Sequence, residues 1–166
     1  MYAPKDVRSL QQAELIVVRM LREYRLLGGP TFAVTRDANR LHVVPADVLD
    51  PEGNRIKQSS ILDVLVSVPA SPRDGAQLLQ AICDELKKQT GFEIGIGPSA
   101  PSNSLEGYRT AEGIDKMSAR SAIEHVLDKA SRPGSFVWDL YYDPGDKSYG
   151  LNFSHIGNAG SGSPAE

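Results

Sequence analysis

The chain has 166 residues, of which 40% are hydrophobic and 23% are charged, and its formal net charge is −3 at pH 7. These values are typical of a globular protein that buries a core in one domain or two very small ones. Lysine and arginine are scattered among acidic residues, so the composition argues against a nucleic-acid binder, which needs a concentrated basic face. No run approaches the roughly 20 apolar residues of a membrane-spanning helix.

The first predicted element is a long amphipathic helix. Residues 1–8 form a lead-in, and Ser9 with Gln12 is the capping-box pattern that opens a helix ending near Leu27. Its apolar residues cover a wide face, which predicts contact on more than one side, with a sheet and a second element or with a partner chain. The Gly-Gly-Pro sequence at residues 28–30 ends it.

Two strand regions follow the helix. Residues 32–35 and 41–44 alternate around a short turn, which predicts a β-hairpin. After a second turn in the sequence DPEGN, residues 61–68 (ILDVLVSV) are almost continuously apolar, which predicts a central strand covered on both faces. Asp63 interrupts this run and needs a partner if it is buried.

Residues 71–131 predict the order helix, strand, strand, helix. For the first helix, Ser71 is the expected N-cap and Pro72 the first helical residue. Gly91 provides the left-handed stop. The apolar face of this helix consists of Leu79, Ile82, Cys83 and Leu86.

The second half of this region begins with a half-buried strand at residues 92–96. A turn-rich stretch (residues 97–104) and a weaker extended run (residues 105–114) come next. Ser118 is the expected N-cap of the second helix, whose apolar stripe ends at Ala130.

The strings LLQAICDELKKQTGFEIGIGP and KMSARSAIEHVLDKA in this region resemble the secretin and TonB short N-terminal (STN) domain. The similarity covers about residues 71–131. It implies a small non-catalytic module of the bacterial envelope, periplasmic or envelope-associated, that docks to other proteins and has no catalytic residues. The N-terminal sequence MYAPKDVRSL has no apolar signal core, so the residues themselves leave the localisation unknown.

The last predicted element is an aromatic hairpin at residues 136–142 and 149–153, followed by a flexible tail or linker at residues 157–166. Its alternation places Trp138 and Tyr142 against the helices. Val137, Asp139 and Tyr141 fall on the other face, where they are candidate partner-contact residues. The alternative for this face is an ordinary mixed sheet surface.

No motif assigns a catalytic, cofactor-binding or metal-binding residue. His42, His125 and His155 are far from one another in sequence and from the lone cysteine, so no local zinc pattern is present. Cys83 is expected to be a small buried hydrophobic residue on its helix. The Gly95-Ile96-Gly97 sequence leads into a proline and lacks the rest of a phosphate-binding loop.

These patterns predict an α+β fold with three helices packed on one face of a mixed or antiparallel sheet of five to seven strands. Residues 9–156 are expected to form a single domain, because a helix, a Gly/Pro stop and a hairpin occur twice, at residues 9–45 and 118–154. The predicted function is a non-catalytic protein-interaction or scaffold module without a cofactor. Its expected partners are other proteins or a second copy of the chain. The alternative is a small ligand-binding or enzymatic domain with a cleft beside the loop at residues 97–107.

Overall fold

The computed structural model describes residues 9–36, 40–49, 54–57, 59–131, 135–143 and 145–156. The predicted lead-in, the tail and the turns at residues 37–39, 50–53 and 132–134 lie outside the described residues. The fold is α+β with three helices, as predicted. Contacts between residues divide the chain into two compact units, residues 1–60 and 61–166, where the sequence suggested a single domain. We describe each unit by itself.

The first unit contains helix α1 and two short antiparallel strand pairs. Helix α1 spans Leu10–Leu26, and its N-cap Ser9 accepts a hydrogen bond from the Gln12 amide at 3.2 Å. This confirms the predicted helix start. The remaining elements are β1 (Phe32–Arg36) paired with β2 (Leu41–Pro45), and β3 (Val48–Leu49) paired with β4 (Arg55–Ile56).

Apart from β3, none of the described residues of the first unit is buried. The Arg55 guanidinium donates to Asp47 Oδ1 at 2.9 Å and to Thr31 Oγ1 at 3.0 Å, and these bonds connect β4 to the segments flanking the hairpin. Helix α1 has its apolar side chains half-buried or exposed. The predicted contact of this helix on more than one side stays a prediction. No described helix is both long and apolar enough to cross a membrane.

The second unit contains the other two helices and most of the strands. Its elements are β5 (Leu65–Val68), β6 (Arg73–Asp74), α2 (Gly75–Thr90), β7 (Glu93–Ile96), β8 (Arg109–Thr110), β9 (Ile114–Ser118), α3 (Ala119–Ala130), β10 (Phe136–Asp143) and β11 (Ser148–His155). Single 3₁₀ turns lie at Ile61–Asp63 and Ser102–Leu105.

The buried core of the protein belongs to the second unit. Most of the largest fully buried side chains come from α2 and α3, and strands β5 and β11 and the second 3₁₀ turn contribute the rest. These largest side chains are Val66, Leu78, Leu79, Ile82, Cys83, Leu86, Leu105, Ile123, Val126, Leu127 and Leu151. The predicted apolar faces of both helices are therefore confirmed.

The described strands are distributed over five small sheets instead of one continuous sheet. In the second unit β5 pairs with β9, β6 pairs with β8, and β11 lies between β10 and β7, with a parallel pairing to β7. Within this unit α2 and α3 contact each other, and both contact β5.

The prediction of a central strand at residues 61–68 is wrong. The segment starts as a 3₁₀ turn, and β5 pairs only with β9 among the described residues. Val66 and Val68 are buried, whereas Leu65 is 57% exposed, so one face alone is covered. Asp63 is exposed and lies 3.4 Å from the Arg120 guanidinium in an ion pair.

The predicted N-cap of α2 is also wrong, because the cap is Asp74 and not Ser71. The Asp74 carboxylate accepts from the Gln77 amide at 2.8 Å, and the Gln77 side chain accepts from the Asp74 amide at 2.9 Å, which completes a capping box. Residues 73 and 74 pair with β8, which holds this segment extended until the helix begins. At the other end Gly91 has φ of 74°, which confirms the predicted left-handed stop.

Candidate functional site

The aromatic hairpin forms as predicted. Strands β10 and β11 pair residue for residue from Phe136 opposite His155 to Asp143 opposite Ser148. Its inner face is anchored in the core by Phe136 and Phe153, whose rings meet edge to face at 5.7 Å. The His155 ring lies 4.0 Å from the Phe136 ring. One face of the hairpin is therefore packed against the core.

The other face presents the three predicted partner-contact residues. Val137 is 53% exposed and Tyr141 is 57% exposed, with the exposed Asp139 between them. Asn152 on β11 donates to the Asp139 carboxylate at 3.4 Å. The predicted placement of these side chains on the solvent face is what the structure shows, and their contact with a partner stays a prediction.

Tyr142 differs from the prediction that it packs on the helices. It is 41% exposed, and its ring lies 4.8 Å from the ring of Tyr149, its cross-strand partner. Burial, with the neighbouring Tyr142, raises the pKa of the Tyr149 hydroxyl above its ordinary value. Tyr142 occupies the turn end of the hairpin, where the core no longer covers the strand. Trp138 is partly buried against the core as predicted.

The loop at residues 97–107 is attached to the core. Leu105, in the second 3₁₀ turn, has no exposed surface, and this turn contacts both α2 and α3. The Gly97 amide donates to the Leu151 carbonyl at 2.8 Å, and Ser104 Oγ donates to the Pro101 carbonyl at 2.6 Å. The sequence analysis did not predict that this loop contacts the core. The one leucine in the loop, Leu105, was the feature that could have indicated it.

A groove of about 290 Å³ lies in the first unit between α1 and β1. Its apolar lining consists of Val18, Leu21, Phe32 and Val34, and its polar lining of Arg22, Arg25 and Thr31. An apolar lining with guanidinium groups fits a ligand that combines an apolar body with a carboxylate. This groove belongs to the wide helix face identified in the sequence and is a second candidate surface.

The three histidines are distributed over separate elements. His42 lies in β2 opposite Thr35, and His155 ends β11. His125 Nε2 on α3 lies 3.7 Å from Glu112 Oε2. Within the described ranges no three His, Cys, Asp or Glu side chains come together in a way that could hold a metal ion.

Cys83 is fully buried on α2, as the sequence predicted. Burial raises the pKa of its thiol from 9.0 to about 12, and the neighbouring Asp84 carboxylate adds to the shift. Because the thiolate is the reactive form, we expect native Cys83 to be unreactive toward the disulfide reagent DTNB at pH 8 and to react fully in guanidinium chloride. Rapid labelling of the native chain would contradict this.

The same pKa shift predicts a pH dependence of stability. The folded state holds the thiol proton more tightly than the unfolded state, whose pKa is near 9.0. The stabilisation is therefore complete below about pH 9 and decreases as the pH rises toward about 12. Urea unfolding of the native chain and Cys83→Ala at several alkaline pH values measures this difference.

Comparison of the chain with protein-family models, characterised proteins and solved structures finds no match.

Proposed function

We propose that this chain is a non-catalytic protein-interaction or scaffold module, and that the outer face of β10 is its contact surface. We call Val137, Asp139 and Tyr141 the contact triad. The observation that carries the proposal is that two large apolar side chains of this triad are more than half exposed beside a carboxylate. Aromatic and aliphatic side chains held in this way form the energetic centres of protein interfaces.

The packing of the hairpin on the core supports this role. The contact triad lies on a strand whose opposite face is fixed by Phe136, and every residue of that strand pairs with β11. A preformed surface loses little conformational entropy when a partner binds, so more of the contact energy appears as affinity.

The charge in the triad indicates the chemistry of the partner. Asp139 lies between two apolar side chains on one strand face, and no described cation forms an ion pair with it. The complementary surface is a basic side chain between apolar ones. Such a residue adds charge complementarity, which selects the partner and speeds association.

Polar side chains elsewhere in the protein support the scaffold role, because they stabilise local structure. Ser9, Asp74 and Ser118 cap the three helices through hydrogen bonds to backbone amides. The Asp143 carboxylate accepts from the Gly145 amide at 2.8 Å in the β10–β11 turn.

The proposal includes a place in the bacterial envelope, which rests on the resemblance of residues 71–131 to the STN domain. Residues 71–131 contain α2 and α3 with three short strands between them, β7, β8 and β9, where the sequence predicted two. Envelope proteins with this domain act by docking to other proteins, in keeping with the contact triad.

The second candidate function is binding of a small ligand. The groove between α1 and β1, with Arg22 and Arg25 in its lining, favours it. The loop at residues 97–107, where the sequence placed the cleft, carries a leucine that is buried in the core instead.

The test of the contact triad uses a displayed library of random twelve-residue peptides, selected against the native chain. Val137→Asp combined with Tyr141→Ala is expected to weaken the selected peptides at least about tenfold, because loss of interface anchors costs more than about 1 kcal/mol. Affinity is measured by fluorescence anisotropy. Leu27→Asp with Tyr24→Ala makes matched changes on another exposed surface and is the control. If no peptide is selected, or if the control variant loses binding and the triad variant keeps it, the proposal is wrong.

A further inference from the structure

Strand β10 forms one edge of its sheet. The strand order is β10, β11, β7, so β10 pairs along one side only in the part of the chain that the structure describes. Its eight residues make it, with β11, one of the two longest described strands. An edge of this length carries a row of backbone groups on its open side.

The hydrogen-bond register tells which backbone groups these are. The Ile156 amide donates to the Ser135 carbonyl at 2.7 Å, one pair beyond the end of the ladder. In an antiparallel pair, residues that bond to the neighbouring strand alternate with residues whose N–H and C=O point away from it. The residues that bond to β11 are therefore 137, 139, 141 and 143. Those whose N–H and C=O face the open edge are Phe136, Trp138, Leu140 and Tyr142.

Among the described residues, the edge lacks several of the features that prevent strand pairing. Natural edge strands are commonly protected by proline, lysine, bulges or shortness. Strand β10 (FVWDLYYD) contains neither proline nor lysine, and its ladder with β11 runs without a register shift. The other edge of the sheet, β7, has only four residues. The open side of β10 is thus ready to accept another strand.

From this geometry we infer that the open edge of β10 binds an extended segment of a different protein as an added β-strand. The inference rests on the proposed function and specifies how the partner is bound. Backbone hydrogen bonds to the four edge-facing residues hold the segment, and side chains beside the contact triad select it. The expected segment places a basic residue beside Asp139 and apolar residues two positions away on either side.

A second copy of the chain is a poorer occupant. In the symmetric antiparallel register centred on Asp139, the two Asp139 carboxylates lie directly opposite each other. In the registers centred on Trp138 or Leu140, each carboxylate lies opposite Val137 or Tyr141, so no cation faces it in any of the three. Like charges directly opposite each other destabilise the first of these registers. The acidic centre of the strand thus favours a basic segment from another protein.

The test separates the backbone donor from the side chain at Tyr142. The Tyr142 amide points to the open edge, so Tyr142→Pro removes an edge donor and leaves the ladder to β11 intact. Tyr142→Ala removes the same ring and keeps the donor. With the peptides selected from the random library, the proline variant is expected to bind at least about tenfold more weakly than the alanine variant.

Amide hydrogen exchange of the native chain gives a second readout that needs no variant. The edge-facing amides of Trp138 and Leu140 are expected to exchange quickly in the free chain and slowly with a bound peptide. The amides of Asp139 and Tyr141 bond to β11 and are expected to be protected in both states.

Each outcome decides the inference. Equal binding by Tyr142→Pro and Tyr142→Ala, together with loss in the Val137→Asp, Tyr141→Ala variant, overturns strand addition and leaves the proposed function intact. Failure to select any peptide overturns both. Selected peptides without a basic residue contradict the role of Asp139. Concentration-dependent dimerisation that protects the Trp138 and Leu140 amides identifies a second copy as the occupant and overturns the choice of a different protein.

Discussion

Replacing Leu105 by alanine is expected to lower the free energy of unfolding by about 2–5 kcal/mol, the usual cost of removing a buried leucine side chain and leaving a cavity. Leu105 has no exposed surface and lies in a 3₁₀ turn that contacts both α2 and α3. Truncation of this side chain removes the apolar contact of the 97–107 loop with the core. Urea unfolding, followed by circular dichroism, measures the change.

Leu65→Ala is the matched control, since it removes the same atoms from a side chain that is 57% exposed in the same unit. We expect it to cost less than about 1 kcal/mol. If the two variants unfold at similar urea concentrations, the loop is not anchored through Leu105. The comparison also tests the ligand-binding alternative at this loop, because a cleft there would leave Leu105 accessible.

Gly113→Ala is expected to lower the free energy of unfolding by about 1–3 kcal/mol, the cost of forcing an extra carbon into a closely packed site. A Cβ at Gly113 would lie 2.6 Å from the Val68 carbonyl oxygen and 2.7 Å from the Ala70 amide nitrogen. Both neighbours are backbone atoms, so a side-chain rotation cannot relieve the overlap. The strand pair β5–β9 would have to separate next to its irregularity between Val66 and Val68.

Gly107→Ala is the control, and it is expected to raise the free energy of unfolding where Gly113→Ala lowers it. A Cβ at Gly107 meets no atom within 4 Å, and its φ is not in the left-handed range. Alanine there reduces the freedom of the unfolded chain and is expected to stabilise the protein by about 0.4–1 kcal/mol. Thermal unfolding measures the stability of both variants. If Gly113→Ala is as stable as Gly107→Ala, the two strands are not in close contact at Gly113.

Local sequence signals predicted the helices well. Ser9 and Ser118 cap α1 and α3 as expected, and Gly91 ends α2 in the left-handed conformation. These features depend on residues only a few positions apart, so a short stretch of sequence contains all the information they need. The face of β10 that carries the contact triad was predicted for the same reason, because side chains alternate along a strand.

The errors all involve contacts between distant parts of the chain. Ser71 was expected to cap α2, but pairing of β6 with β8 keeps residues 73 and 74 extended and moves the helix start to Asp74. The run at residues 61–68 has the composition of a central strand, yet its neighbours cover only one face of β5. Periodicity cannot show how many neighbours a strand will have.

The sequence by itself therefore determined the α+β class, the three helices, both hairpins and the side chains on the outer face of β10, because these follow from local periodicity, capping and turn chemistry. Only the tertiary structure decided that the strands divide into small sheets, that Leu105 is part of the core, and that β11 lies between β10 and β7. Strand order depends on which distant segments pack together around α2 and α3. That order leaves β10 with one open edge, and the edge, with the contact triad beside it, is the surface through which we propose the protein binds its partner.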